Sequence, residues 1–415
     1  MTAALTCVSL FSGAGGLDAG LSAAGFDVLA CVEADDDCCA TLKANGARRV
    51  IESTAELVEP GQLLRELSLE PGMLDLLAGG PPCQPFSKSA FWASKAAQGL
   101  LDGRARTLDR YFDFAYAFQP RAMLIENVEG FVSGGGLAYV EMRLRKFSED
   151  GLHYSLRWRV IDAASYGVAQ HRRRFIAVMR RDNGRFAFPK PTHGGRHRPY
   201  LNAWDACRAA AAFSSAPREE TAIKGRWADL VPSIPEGRNY LWHTDRGGGE
   251  PLFGWRTRYW SFLLKLEKQR PAPTIVANPS QNSGPFHWDN RLLTTAELAA
   301  IQGFGPGYSF VGDRPSRQRQ IGNAVPPPLA EVLGRAIARQ LGTTVPRRRK
   351  FVLKRAGVPP PPKQPGTVPE HHLPLRGEHR AHPGTGKGPR PRPVPIERST
   401  VQAAHANHPD PGRAS

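Results

Sequence analysis

The 415-residue chain has little cysteine, few acids and no long apolar run. Its six cysteines, at 7, 31, 38, 39, 83 and 207, form no CxxC pair and have no histidines at zinc spacing. That argues against a disulfide framework and against a structural metal module, and no metal is expected. No segment approaches the roughly 20 apolar residues that cross a bilayer. The start, MTAALTCVSLFSGAGG, lacks the basic region and cleavage site of a signal peptide. A cytoplasmic protein without membrane association is therefore expected. Acids number 38 against 55 Lys and Arg, a net charge of +17. Residues 342–415 hold 14 Lys or Arg against 4 Asp or Glu, a net +10, with 15 prolines and few apolar clusters. Such a segment buries too little surface to offset its ordering entropy, and disorder is expected there. The moderately basic remainder admits a polyanionic partner, with nucleic acid first among the candidates.

Apolar runs alternate with helical periods through the first half, the pattern of a parallel α/β sheet. Strands are expected at 5–10, 27–33, 73–80 and 121–128, followed by a hairpin-like pair at 155–163 and 172–180. Helices are expected at about 15–24 and 35–45. From 189 to 290 the chain becomes loop-rich (PKPTHGG, RGGGEP, NPSQNSGP) and holds most of the tryptophans, as suits a small irregular domain whose loops recognise something. Regular character resumes at TTAELAAIQGF (294–304), with an N-cap threonine and Glu297, and at PPLAEVLGRAIARQL (327–341). The expected organisation is 1–188, 189–290, 291–341 returning to the first domain, and a tail from 342 to 415.

Several segments carry chemistry. SLFSGAGGLDAG (9–20) ends a strand in a glycine turn that opens a helix, a place for a nucleotide-like ligand. Glu33, at the tip of the second strand, suits a ribose diol. In LLAGGPPCQPFS (76–87) two glycines and two prolines hold Cys83 at the mouth of the sheet, an unusual setting for a structural thiol. A nucleophilic thiol acts as thiolate, favoured by nearby positive charge, and Arg172 and Arg174 are candidates to supply it. IENV (125–128) presents Glu126 at the same edge. Gln170, Arg172 and Arg174 alternate, which in a strand directs them to one face; a solvated basic edge is the plain alternative for the arginines.

Taken together and in order, FSGAGG (11–16), GGPPCQPFS (79–87), ENV (126–128), QHRRR (170–174), RLLTTAELAAIQGF (291–304) and QIGNAVP (320–326) resemble the bacterial DNA cytosine-C5 methyltransferases of restriction-modification systems, over residues 5–341. The resemblance implies a Rossmann-like S-adenosylmethionine-dependent methyltransferase sheet with a second, smaller, irregular target-recognition domain. It implies that Phe11, Gly13, Ala14, Gly15, Gly16 and Leu17 cradle the adenosyl moiety of S-adenosylmethionine. Glu33 and Ala34 meet its ribose; Gly80, Pro82 and Leu108 line its methionine side; Asn323 closes the pocket. The family's usual acid for the adenine amino group is replaced by VIEST (50–54), leaving Glu52 or Ser53.

The implied chemistry is attack of Cys83 on cytosine C6, with Glu126 at N3 and Arg174 at O2, on a base flipped out of double-stranded DNA. Gln84 and Ser89 are candidates to fill the vacated stack. Arg246, Arg256 and Arg258 are candidate base readers, because arginine pairs bidentately with guanine; phosphate contact or plain solvation is the alternative for all three. A monomer is expected, with a cognate restriction endonuclease acting separately. The rival functions are a transfer-RNA cytosine-C5 methyltransferase and a DNA-binding regulator of the same fold.

Overall fold

The computed structural model describes residues 4–82, 106–182, 184–211, 221–255, 259–346 and 349–376. Its centre is a seven-stranded sheet of β1 (Leu5–Leu10), β2 (Phe26–Glu33), β3 (Val50–Glu52), β4 (Leu76–Gly79), β5 (Ala122–Val128), β6 (Ser155–Asp162) and β7 (Arg173–Arg180). The order is β3-β2-β1-β4-β5-β7-β6, with β1 to β5 parallel and β7 antiparallel to both neighbours. The expected strands are all present. The one not expected, β3, is a three-residue edge strand, too short for alternation to register.

Among the described residues the α-helices are α1 (Gly16–Ala24), α2 (Asp36–Ala44), α3 (Pro60–Glu66), α4 (Arg106–Phe118), α5 (Gly130–Ser133), α6 (Gly136–Glu149), α7 (Ala203–Ala210), α8 (Thr295–Gln302), α9 (Arg314–Asn323) and α10 (Pro327–Gln340). Both sheet faces are covered, as a parallel sheet of continuous apolar strands requires. One face packs α1 and α10 on Cys7, Leu76, Ala78 and Leu124, and the other packs α4 and α6 on Val8, Leu10, Leu77 and Ile125. Helices α1 and α10 touch closely. A Cβ on Gly20 would lie 2.4 Å from that of Ala330, and one on Gly334 would lie 2.8 Å from that of Ala24. Helix α8 starts at the expected capping box, in which Thr294 Oγ1 accepts from Glu297 N and the Glu297 carboxylate accepts from Thr294 N.

The irregular stretch has its own core, in which Trp227, Leu230, Tyr240, Phe253, Phe262 and Phe286 meet. A separate cluster joins α7, α8, Leu266, Ile275 and Ile321, so the start of this stretch is packed onto the returning segment.

The expectation of disorder from residue 342 is corrected for 349–376. This strap runs from α10 across the irregular region. Lys350 N and Phe351 N donate to the fully buried Glu331 carboxylate at 2.9 and 3.0 Å. Ala356 N donates to Asp205 Oδ1 at 2.7 Å, and Gly366 N to Pro232 O at 3.0 Å. The strap ends in a 3₁₀ turn, Glu370–Leu375, where His372 is buried. Composition failed here because the ordering cost is met by partners on the body, carboxylates and carbonyls for the strap's N–H groups, which no local pattern reveals.

Deletion from 347 should lower stability, relative to deletion from 377, by at least about 2 kcal/mol, the burial of Phe351 alone. The urea midpoint at constant m-value is the measurement, and equal midpoints for the two truncations would refute a docked strap.

Candidate active site

The strand order reverses between β1 and β4, so the crevice at their carboxyl ends is where a ligand enters an open sheet of this kind. The glycine turn after β1 lies there. Phe11 and Gly13 both take left-handed backbone conformations, with φ of 57° and 54°. For a phenylalanine this is strained, as is common at ligand sites. A Cβ on Gly13 would meet nothing within 4 Å, so this glycine borders open space. Gly13 N donates to Glu33 Oε2 at 2.6 Å, while Ala34 N and Asp35 N donate to Glu33 Oε1, both at 2.9 Å. Glu33 thus sets the shape of the turn, and its Oε2, which accepts only from Gly13 N, retains a lone pair for a ribose hydroxyl.

Gly15 and Gly16 are small for a different reason. A Cβ on Gly15 would lie 2.6 Å from Tyr308 Oη, and one on Gly16 would lie 2.3 Å from Val325 O. Tyr308 Oη donates to Ala14 O at 2.6 Å. These glycines admit the returning C-terminal segment against the turn. The side chains of Ala14, Leu17 and Leu108 are buried in the apolar core, leaving only their backbone or edges for a ligand. Glu52 turns outward to Lys43, at 2.5 Å, whereas Ser53 N donates to Glu33 O at 2.9 Å and stays at the crevice edge. Of the two substitutes for the missing acid, Ser53 is the better placed.

Glu126 lies near the end of β5 and is 8% exposed. Its Oε1 is 3.1 Å from Arg174 Nε. Burial pushes this carboxyl above the usual range, and Arg174 and Arg172 only partly offset it. A Cβ on Gly80 would stand 3.4 Å from Glu126 Oε2, and Asn127 Nδ2 donates to Pro81 O at 3.1 Å. The Gly80-Pro81-Pro82 segment leading to Cys83 is therefore held against the Glu126 strand end, with Pro82 exposed. Cys83, Gln84, Ser89, Arg256 and Arg258 lie outside the described residues.

Alternation in QHRRR is observed. Gln170 and Arg172 are buried and Arg174 nearly so, while His171 and Arg173 are exposed. Arg172 donates to Gly322 O at 2.8 Å, beside the exposed Asn323, and so carries the C-terminal segment to the crevice. Gln170 Nε2 donates to Gln302 Oε1 at 2.6 Å, its own Oε1 accepts from Ile275 N at 3.1 Å, and Gln302 Nε2 donates to Ala324 O at 2.5 Å. One buried chain of amides thus ties the irregular region, α8 and the crevice together.

Sequence reasoning missed Asp162, which accepts from Arg172 N at 3.0 Å and lies 2.8 Å from His171 Nδ1. It also missed Tyr308. Neither sits in a distinctive local pattern. Arg246 is exposed, with its guanidinium 5.3 Å from the Trp255 ring.

A glycine turn closed by a carboxylate at the switch point of a sheet whose seventh strand runs antiparallel is the architecture of an S-adenosylmethionine-dependent methyltransferase. The chain matches the family described as C-5 cytosine-specific DNA methylase over residues 5–339, and it belongs to that family. It is a DNA cytosine-5 methyltransferase. Its curated relatives include the type II methyltransferase M.SacI of Streptomyces achromogenes, 35% identical over 82% of this chain and 96% of the relative. Another is M1.HphI of Haemophilus parahaemolyticus, 30% identical over 80% and 86%. Among solved structures, a DNA modification methyltransferase encoded within an E. coli prophage superposes with a TM-score of 0.57 at 22% identity, covering 81% of this chain and 99% of that one. The Dnmt2 methyltransferase of S. pombe gives 0.53 at 14% identity, over 81% and 99%, a likeness of fold alone. Among the described residues no helix is long and apolar enough to cross a membrane.

Proposed function

We propose that the chain methylates cytosine C5 at a specific sequence in double-stranded DNA, as a monomer in the cytoplasm, and protects that sequence from a separate restriction endonuclease. The observation that carries the residue assignments is the junction at the end of β5. Glu126, paired with Arg174, is buried there against the backbone that leads to Cys83, although about forty residues separate them in sequence.

S-adenosylmethionine, when bound, supplies an electrophilic methyl group. Gly13 and Glu33 fit its adenosyl part, since the turn borders open space and the carboxylate keeps acceptor capacity. The Cys83 thiolate adds to C6 of the flipped cytosine, and Glu126 delivers its proton to N3, so the ring becomes an electron-rich enamine at C5. Arg174 holds Glu126 and contacts O2. After methyl transfer, a base removes the C5 proton, the Cys83–C6 bond breaks to regenerate thiolate, and the N3 proton returns to Glu126. Arg172 positions Asn323 and the closing segment through Gly322.

Sequence choice falls to the irregular region, for which Arg246, Arg256 and Arg258 remain the candidates. Arg246 is exposed and braced on Trp255, which suits a reader held ready for a base edge. Replacing each of the three singly by Ala should leave S-adenosylmethionine binding unchanged. At least one replacement should weaken discrimination by about 1–3 kcal/mol, the cost of a bidentate base contact. Affinity for cognate and non-cognate duplexes at two salt concentrations is the test. Equal losses on both duplexes with a flatter salt slope in all three variants would mean phosphate contacts and refute the reader assignment.

A further inference from the structure

The strap ends on a cluster that methyl transfer does not use. His371 and His372 are consecutive, and side chains one residue apart in a helical turn normally diverge. Here their ring centroids are 4.1 Å apart, and both Nε2 atoms face one carboxylate. His371 Nε2 is 3.0 Å from Asp229 Oδ2, and His372 Nε2 is 3.0 Å from Asp229 Oδ1. His372 is held in this pose by stacking on Trp227, with centroids 5.1 Å apart and planes 20° from parallel. Asp229 belongs to a 3₁₀ turn of the recognition region, Ala228–Ser233, so the cluster bridges strap and body.

We propose that Asp229, His371 and His372 form a site for Zn²⁺ or a similar imidazole-preferring divalent ion, which fastens the C-terminal strap to the recognition region. The ligand atoms already lie within 4.8 Å of one another. Zinc bonded at about 2.0–2.1 Å to tetrahedral ligands spaces them by about 3.3 Å, against the 3.0 Å at which each imidazole nitrogen, that of His372 through a hydrogen bond, meets the Asp229 carboxylate. One carboxylate and two imidazoles suit a borderline-soft dication, and the exposure of Asp229 and His371 leaves a side open to water. A second cluster, Cys207, His287 and Glu297, has comparable spacing. There Arg291 already donates to both Glu297 oxygens, at 2.8 and 2.6 Å, so a cation has its counter-charge taken.

The test uses the full-length chain, stripped with a chelator and titrated with Zn²⁺ against a chromophoric competitor. One zinc per chain is expected, weakened on the order of 100-fold in Asp229→Asn and in His371→Ala, at least the loss seen when groups supporting metal ligands are removed. Both side chains are substantially exposed, so the variants keep their fold, which circular dichroism checks. In the wild type alone, Zn²⁺ should slow proteolysis within 349–376. The Co²⁺-loaded protein should show ligand-field bands without sulfur-to-cobalt charge transfer. Unchanged zinc affinity in both variants overturns the proposal. So does a charge-transfer band abolished by Cys207→Ser, or zinc that leaves proteolysis of the strap untouched.

Discussion

Replacing Cys83 by Ser is expected to reduce methyl transfer below detection while cognate DNA binding stays largely intact. The reason is the order of events: cytosine C5 is too weak a nucleophile until a group adds at C6, and a serine hydroxyl near neutral pH has almost no anionic fraction with which to add. Binding and flipping precede that step and depend on other groups. The direct observation is covalent. A duplex with 5-fluorocytosine at the target, incubated with the wild type and S-adenosylmethionine, should give an adduct that survives a denaturing gel, because fluorine replaces the proton whose loss releases the enzyme. An adduct that persists in Cys83→Ser, or none in the wild type, places the nucleophile elsewhere.

Glu126→Gln should lower the single-turnover rate by about 10²–10⁴, the range for a lost general acid, with little change in S-adenosylmethionine affinity. The amide keeps the shape and a hydrogen-bond donor for N3 but has no proton to deliver. The pH profile carries a second signature. Burial raises the Glu126 carboxyl, against the partial opposition of Arg174 and Arg172. The protonated, competent form therefore persists to higher pH than for an exposed carboxyl, and the wild-type rate should fall as pH rises through that elevated value. Glu126→Gln should lose this limb. A variant with the wild-type rate, or with the same limb, would show that Glu126 is not the acid at N3.

The class of protein was legible from residues alone because its chemistry is concentrated in short segments whose composition is hard to reach by chance. Pro-Pro-Cys after two glycines, Glu-Asn-Val at a strand end and the alternating Gln-x-Arg-x-Arg are local patterns, and local patterns survive without coordinates. The parallel strands and the capping box of α8 were legible for the same reason, since alternation and cap residues act within a few positions. Residues acting across long separations were not legible. Gly15 and Gly16 read as part of a ligand cradle, and nothing local showed that their missing side chains also make room for Tyr308 and Val325, some three hundred residues later. Arg172 read as a charge for the thiolate, and only its bond to Gly322 reveals it as the joint that returns the last segment to the crevice. The strap is the sharpest case. Proline and charge argued correctly that residues 349–376 cannot bury enough surface by themselves, but Glu331, Asp205, Pro232 and Asp229 supply partners that the segment's own sequence does not contain. Sequence determined which chemistry the chain carries; the tertiary structure decided which distant groups hold it in place, because packing and hydrogen bonding depend on proximity in space, which a linear pattern does not record.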